Sequence, residues 1–506
     1  MKLKKDASKV ACGPMSKASA AALLAIASTV AHTQPTPTPI ETITHGIVLD
    51  GATVVDTHSG KLIPNRAVVM DGGKIVDVAD AGTIKTAGGA RIIDAHGRFV
   101  VPGFLDMHAH PLTAPDPEGA LHLMLANGVT GFRQMGGSPD MLERRREGTL
   151  LPAKDTPELL ATPGAILTPE NAATPAAAIA EVDRQKAEGA DFIKVINVNP
   201  PTFFAAMTEA KQQGLTMLGH LPPFVEVRSA SRAGMRSIEH LGPNEGILLG
   251  CSTDETALRA SMEKQASNHP QIVGGDPAAM VAAIANPMMF TDQGTFDRMQ
   301  REFDTYSESR CSDLARLFVA NQTWQVPTLI RLRTMELSDD PQFPNDPHVR
   351  NMPAATRQLW ANVTQKYSTK FSPEQKSVFE QLFAAQLRLV KLFDQNGVPM
   401  MTGTDAGGSL WVVPGFSLHQ EFDMLSQAGL APLTVLQMTT LNGAKFLGRE
   451  ATMGSVEVGK NADLVVLAAN PISDVRNLHR IDAVVHGGVY YSRSDLDALQ
   501  KSGEHP

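Results

Sequence analysis

The sequence predicts an α/β fold: a TIM-like (β/α)₈ barrel carrying a small β-sandwich domain built from both chain ends. Three observations carry that expectation. Residues 44–101 are short, β-branched and turn-rich, with no useful helical periodicity. From 102 to 449, short apolar runs alternate with helical stretches, the pattern of parallel β/α units. After Gly448 the strand pattern returns, so residues 450–495 are expected to rejoin the N-terminal strands, with 496–506 as a tail. At 506 residues the chain has room for a large barrel and an accessory domain.

The elements follow in order. Lys2, Lys4, Lys5, Lys9 and Lys17 precede a weakly apolar run from Ala18 to Ala31. That run is shorter than the ~20 residues of a bilayer span. Thr29 and Ala31 offer a small-residue cleavage site. Residues 1–34 therefore read as a signal peptide and leader, starting at Met1 or Met15, against the alternative of a disordered cytoplasmic tail. The expected location is the periplasm or the exterior of the cell. Cys12 lacks the apolar residues that precede a lipid-modified cysteine. Residues 35–43, with the Pro35–Pro39 stretch, read as a linker.

Strand candidates in the first β segment are Ile47–Leu49, Thr53–Val55, Ala67–Met70, Lys74–Val78 and Arg91–Asp94, with Asp71-Gly72-Gly73 as a hairpin. The barrel candidates are Gly103–Met107, Gly128–Arg133, Leu159–Ala161, Phe192–Ile196, Thr216–Gly219, Arg236–Glu239, Gln325–Leu329 and Pro399–Gly403. Helices are expected over Gly119–Asn127, Pro175–Glu188, Thr202–Gln213 and Val225–Ala233. The connections Leu241–Trp324 and Ile330–Gly397 are long, with helical patterns over Phe296–Phe318 and Pro373–Phe393. Long insertions at a barrel mouth shape a substrate pocket. In the closing part, Gly454–Gly459, Asp463–Leu467, Ile481–Val485 and Val489–Tyr491 are strand-like.

Composition excludes some functions. Lys plus Arg is 45 against 53 Asp plus Glu, a net charge of −8, and no basic block interleaves with aromatics. Nucleic acid is therefore not an expected partner. No membrane span is expected; the expected partner is a small-molecule substrate, with a homo-oligomer of the chain left open. Cys251 and Cys311 could pair in an oxidising compartment, or remain two buried free thiols; the sequence favours neither.

Chemistry concentrates at the strand ends. His108 and His110 are two residues apart on a strand and so face the same side. His220 ends the run Leu215–Gly219, His240 ends Ser237–Glu239, and Asp405 follows Met400–Thr404. A barrel brings such ends together, and four imidazoles and a carboxylate suit a metal better than they suit five separate hydrogen-bonding roles. Lys194 sits in the apolar run Phe192–Ile196, where a charged amine is costly. Reaction with CO₂ would neutralise it as a carbamate, an oxygen donor able to bridge two metals; snorkelling outward is the alternative. Arg133 and Gln134, at the end of the second strand, are candidate substrate contacts if they face the mouth. His419 and Glu421 lie beyond a strand end and read as structural.

These motifs resemble the amidohydrolase superfamily, in particular its imidazolonepropionase-like and prolidase-like metal hydrolases. The resemblance covers nearly the whole chain after the leader. It rests on Pro102–His110, Phe192–Lys194, His220, Ser237–His240, Val326–Leu329, Thr402–Asp405 and Gly454–Leu464. It implies two divalent metal ions, usually zinc. His108 and His110 would hold one, His220 and His240 the other, a carboxylated Lys194 would bridge them, and Asp405 would ligate the first. It further implies hydrolysis of a C–N bond in an amide, cyclic amide, urea or carbamate by a metal-bridging hydroxide, with Asp405 as the proton shuttle. Ester, lactone or organophosphate hydrolysis is the rival on the same site, and a non-catalytic binding barrel is the rival from another class. Two departures bear on substrate. The stretch His220-Leu221-Pro222-Pro223 puts Pro222 where relatives often carry a second histidine. Residues 162–169 lack the Gly-Gly-His found in members that act on dipeptides.

Overall fold

The computed structural model describes residues 41–152, 154–242, 246–268 and 285–502. The expected export signal, Cys12 and most of the expected linker lie outside the described residues.

Apolar, β-branched runs form parallel strands that are buried on both faces, as parallel sheets require. Phe104–Ala109, Val129–Gln134 and Glu158–Ala161 make one parallel ladder, and Phe192–Val195, Thr216–Gly219, Ser237–Glu239 and Trp324–Val326 make a second. Single parallel bridges join them: Pro163 to Phe192, Gln325 to Met400, and Ala109 to Ala406. The extended segment 398–406 thus lies between Trp324–Val326 and Phe104–Ala109. There Met107 donates its N–H to Thr402 O at 3.0 Å, and Asp405 donates to His108 O at 2.7 Å.

Helices fill the connections. Pro175–Glu188 starts where the Thr174 side chain accepts from Ala177 N, and Pro200–Gln212 where Asn199 accepts from Thr202 N. Such side-chain caps satisfy amide groups that the first helical turn leaves unpaired. The expected strand Gln325–Leu329 is shorter: it ends at Val326, and Leu329–Glu336 is a helix. The apolar run continues across the boundary, so periodicity alone could not place it. The expected helix Phe296–Phe318 is two helices, Gln293–Asp304 and Glu308–Asn321.

Strands from both ends of the chain share one eight-stranded sheet. Its order is Val489–Ser492, Ile481–His486, Leu464–Leu467, Phe99–Pro102, Ile47–Val55, Leu62–Asp71 and Lys74–Asp80, with Arg91–Asp94 pairing alongside Ile47–Val55. Leu464–Leu467 runs antiparallel to Phe99–Pro102. Leu49, Val68, Met70, Val100, Leu464 and Val485 form one buried face, and Val48, Val69, Val101, Val465 and Val484 are buried on the other. The end of the expected linker is a strand, Glu41–Ile43, which pairs with Ile84–Thr86. Residues 496–502 of the expected tail belong to the helix Arg493–Ser502, whose Leu496 is fully buried. Among the described residues, no helix is long and apolar enough to cross a membrane.

Cys251 and Cys311 are bonded, with both side chains buried and their Cα atoms 4.7 Å apart. The bond closes a loop of 60 residues. Loop-closure entropy for that length is worth about 4 kcal/mol, and measured values are often lower. A Cys251→Ala, Cys311→Ala variant is therefore expected to unfold several degrees below the parent, read as the apparent midpoint of a thermal melt. An unchanged midpoint, in protein whose parent carries the bond by mass, counts against its structural role.

Candidate metal centre

The six ligand-type residues of the strand ends form one connected, mostly buried cluster. His108, His240 and Asp405 bring ligand atoms mutually within 4.8 Å. His108 Nε2 and His110 Nε2 each lie 3.2 Å from Asp405 Oδ1. Lys194 Nζ is 3.4 Å from His108 Nε2. The rings of His108 and His240 are 4.4 Å apart, and those of His220 and His240 are 4.8 Å apart, centre to centre.

The local backbone is bent to achieve this. His240 has φ 58°, Thr328 φ 47° and Asp405 φ 63°, left-handed values that non-glycine residues rarely adopt. Such strain persists where the surroundings over-determine it, and it gathers at functional sites. Two glycines make room. A Cβ on Gly403 would come within 2.7 Å of both His108 Cβ and Val326 Cγ1. A Cβ on Gly219 would meet Val195 O at 2.3 Å and Lys194 Cδ at 3.0 Å.

The second layer orients the imidazoles. His108 Nδ1 bonds Glu239 Oε2 at 2.7 Å, which turns Nε2 toward the centre. His240 Nδ1 bonds Thr328 Oγ1 at 2.6 Å, and its Nε2 is buried with no hydrogen-bond partner among the described residues. An orphaned buried acceptor is costly in a folded protein. Imidazoles tethered at one nitrogen and open at the other are the usual arrangement of metal ligands. The residues present therefore fit a divalent ion.

Electrostatics agree with that fit. Burial lowers the pKa of His220 and His240 well below the ordinary histidine value, which leaves them neutral and able to ligate. Burial also lowers Lys194 to about 8, although Glu239 and Asp405 pull the other way. Burial alone would raise Asp405, but Arg331 and the hydrogen bonds to His108 and His110 hold it well below the usual carboxylate range. Burial raises Asp106 to about 7 despite its bonds to Thr404 and to His108 N.

Arg133, expected to face the mouth, is buried instead. Its side chain is fully buried, with Nη2 donating to Glu239 Oε1 at 2.9 Å and Nε to Met107 O at 2.6 Å. The same guanidinium lies 3.4 Å from Ser237 Oγ through Nη1. Gln134 is buried as well. It donates to Gly136 O at 2.8 Å and accepts from Leu112 N at 3.3 Å, so it pins the loops after two strands. His419 Nε2 bonds Asn127 O at 3.0 Å, and Glu421 Oε2 accepts from Ile330 N at 2.8 Å. Glu421 thereby anchors the start of the helix Leu329–Glu336.

Sequence reasoning missed Arg331, Glu239, Thr328 and Ser409. Arg331 donates Nε to Asp405 Oδ2, and Ser409 Oγ donates to the same oxygen at 2.8 Å. Glu239 carried a signal, since a carboxylate inside an apolar strand beside His240 is as costly as Lys194. Arg331 carried none, because its segment reads as the beginning of an insertion.

Residues 383–490 match the amidohydrolase family. The chain is 39% identical over 64 residues to a dihydroorotase of Pelotomaculum thermopropionicum, covering 13% of this chain and 14% of that protein. It is 31% identical over 114 residues to an imidazolonepropionase of Shouchella clausii, covering 20% and 24%. These curated relatives are thus matched over less than a quarter of their length. Among solved structures, a bottromycin amidohydrolase superposes with a TM-score of 0.65 at 22% identity, over 91% of this chain and 90% of that one. At that identity the likeness speaks to the fold.

Proposed function

We propose that this chain, which belongs to the amidohydrolase family through residues 383–490, is a metal-dependent hydrolase that cleaves a C–N bond in an amide, cyclic amide, urea or carbamate. One observation carries the reading. His108, His240 and Asp405 converge within 4.8 Å at the C-terminal ends of parallel strands, where the open Nε2 of His240 has no other partner among the described residues. The eight mutually bridged parallel segments support a (β/α)₈ barrel, and the sheet built from both chain ends supports a small β-sandwich beside it. Short-range kinship to a dihydroorotase and an imidazolonepropionase supports C–N over ester chemistry.

In this reading His108, His110 and Asp405 would hold one divalent ion, and His220 and His240 the other. Zinc is the ion this donor set suits, and Lys194, as its carbamate, would supply further oxygen donors. Bound there, the ions supply Lewis acidity and a water of lowered pKa. The chain does the rest. Asp405 accepts a proton from the attacking water and returns it to the leaving nitrogen. Arg331 and Ser409 hold that carboxylate in one rotamer. Lys194 spends part of its time as a free amine near neutral pH, the form that reacts with CO₂, because burial has brought its pKa to about 8. The Cys251–Cys311 bond fits an oxidising compartment, so we place the protein in the periplasm or outside the cell. Its expected partner is a small-molecule substrate.

Metal analysis of the purified protein should find about two ions per chain. His220→Ala and His240→Ala should each lower that content. Full retention in both variants would remove the basis for the assignment. A hydrolysis screen across amides, N-acyl amino acids, carbamates and lactones then identifies the bond cleaved.

A further inference from the structure

We propose that His486 is a pH-sensitive latch: as an imidazolium it ties the last hairpin of the chain to the loop entering the strand Glu158–Ala161, and on losing its proton it lets go of that loop. The proposal stands apart from the metal centre. His486 closes the strand Ile481–His486, and 17% of its side chain is exposed. Its Nδ1 lies 2.8 Å from Asp463 Oδ1, and its Nε2 lies 3.0 Å from the carbonyl oxygen of Thr156. Both partners accept. A backbone carbonyl has no proton to give, and Asp463 Oδ1 already takes the Gly487 amide at 3.0 Å. An imidazole donates from both nitrogens only when it is protonated.

The surroundings favour that form. Burial alone would lower the His486 pKa, but the hydrogen bond to Asp463 and its charge, with the Thr156 carbonyl and Glu158, raise it above the ordinary histidine value. The other charged groups nearby are largely engaged. Glu158 pairs with Arg449 at 2.8 Å, and Asp155 accepts from the Tyr491 hydroxyl at 2.8 Å. On the strand of His486 itself, Asp482 pairs with Arg98 at 2.5 Å. Lys154 lies exposed on the latched loop.

Two ties from one hairpin thus land on neighbouring residues, Asp155 and Thr156. Asp155 has φ 60°, a left-handed value that such outside support can hold in place. When the imidazolium loses a proton, one nitrogen must turn a lone pair toward an acceptor. A carboxylate repels that lone pair more strongly than a neutral carbonyl does. The remaining proton therefore stays on Nδ1, and the bond to Thr156 is the one lost. Because the folded pKa is raised, the latch's stabilisation is fully present below about pH 6.5 and is lost as pH rises through the folded value.

The test follows the purified parent, His486→Gln and Asp463→Asn across about pH 5 to 9. Glutamine at 486 cannot donate on both sides and does not titrate. In ¹H–¹³C spectra of histidine-labelled protein, the resonance missing from His486→Gln should titrate above about 6.5 in the parent. In Asp463→Asn its midpoint should fall by about one pH unit or more, the scale of losing a neighbouring opposite charge. Hydrogen exchange over residues 154–158, corrected for the intrinsic rate, should speed up about tenfold as the parent passes its midpoint, the scale of one hydrogen bond from a charged group. His486→Gln should exchange fast throughout, with no step. A parent midpoint at or below the ordinary value, exchange in the parent without a step, or a step that persists in His486→Gln each overturns the latch. Should His486→Gln not fold, Asp463→Asn decides: one histidine resonance must move its midpoint down, and if none moves the proposal is wrong.

Discussion

Asp405→Asn is expected to fold, to keep one of two metal ions, and to lose about 10²–10⁴-fold in turnover, the range for removal of a general acid–base group. The carboxylate has two occupied sides. Oδ1 faces His108 and His110, each at 3.2 Å, and Oδ2 accepts from Arg331 and Ser409. Arg331 can only donate, so an asparagine there must give its oxygen to Arg331 and turn its NH₂ toward the two imidazoles. The variant then loses the proton acceptor and puts a donor where the first ion needs an oxygen. His220 and His240 do not touch Asp405 through a hydrogen bond and should retain the second ion. The measurement is turnover on the substrate found by screening, with metal content determined on the same sample. Turnover within a few-fold of the parent would refute the proton-shuttle role even if both ions remain. Loss of both ions would mean that Asp405 organises the whole centre rather than one half.

The contrast between Asp405 and Arg331 shows what was legible in the sequence. Residues at strand ends can be found by pattern, because a short apolar run announces the strand and the polar residue closing it stands out. His220, His240 and Asp405 were found in that way, and Lys194 by the cost of an amine in an apolar run. Arg331 sits two residues into a helix whose start is fixed by the Glu421 carboxylate, 91 positions downstream of the Ile330 amide it accepts from, and not by any local cap. No local rule places such a helix. Arg133 failed for a related reason. The alternation of a strand gave its side but not its burial, which depends on the partner Glu239 in another strand. The insertions were readable as helical but not as to where they break, since Thr305–Ser307 interrupts an otherwise amphipathic run without Pro or Gly.

Lys194→Ala should cost more activity than loss of an outer partner, hence more than ~10–100-fold, and part of the loss should return with added acetate or propionate. The argument starts from position. Lys194 lies on Phe192–Val195 with only 1% of its surface exposed, 3.4 Å from His108 Nε2 and against Gly219, where any larger residue would strike its Cδ. No snorkelling route to water is open to it. A permanently charged amine among imidazoles that must bind cations would repel those cations, so the free ammonium and a loaded centre are incompatible. A carbamate reverses the sign of the charge at the same atom position and supplies two oxygens. Truncation to alanine leaves space in which a short carboxylate can supply equivalent oxygens, whereas a structural lysine would leave a defect that no added anion repairs. Labelling with ¹³CO₂ gives an independent readout: the loaded parent should show a carbamate carbonyl signal that Lys194→Ala lacks. Parent-level activity in Lys194→Ala, or a fully active parent with no carbamate signal, would show that the two halves of the centre are held together without it.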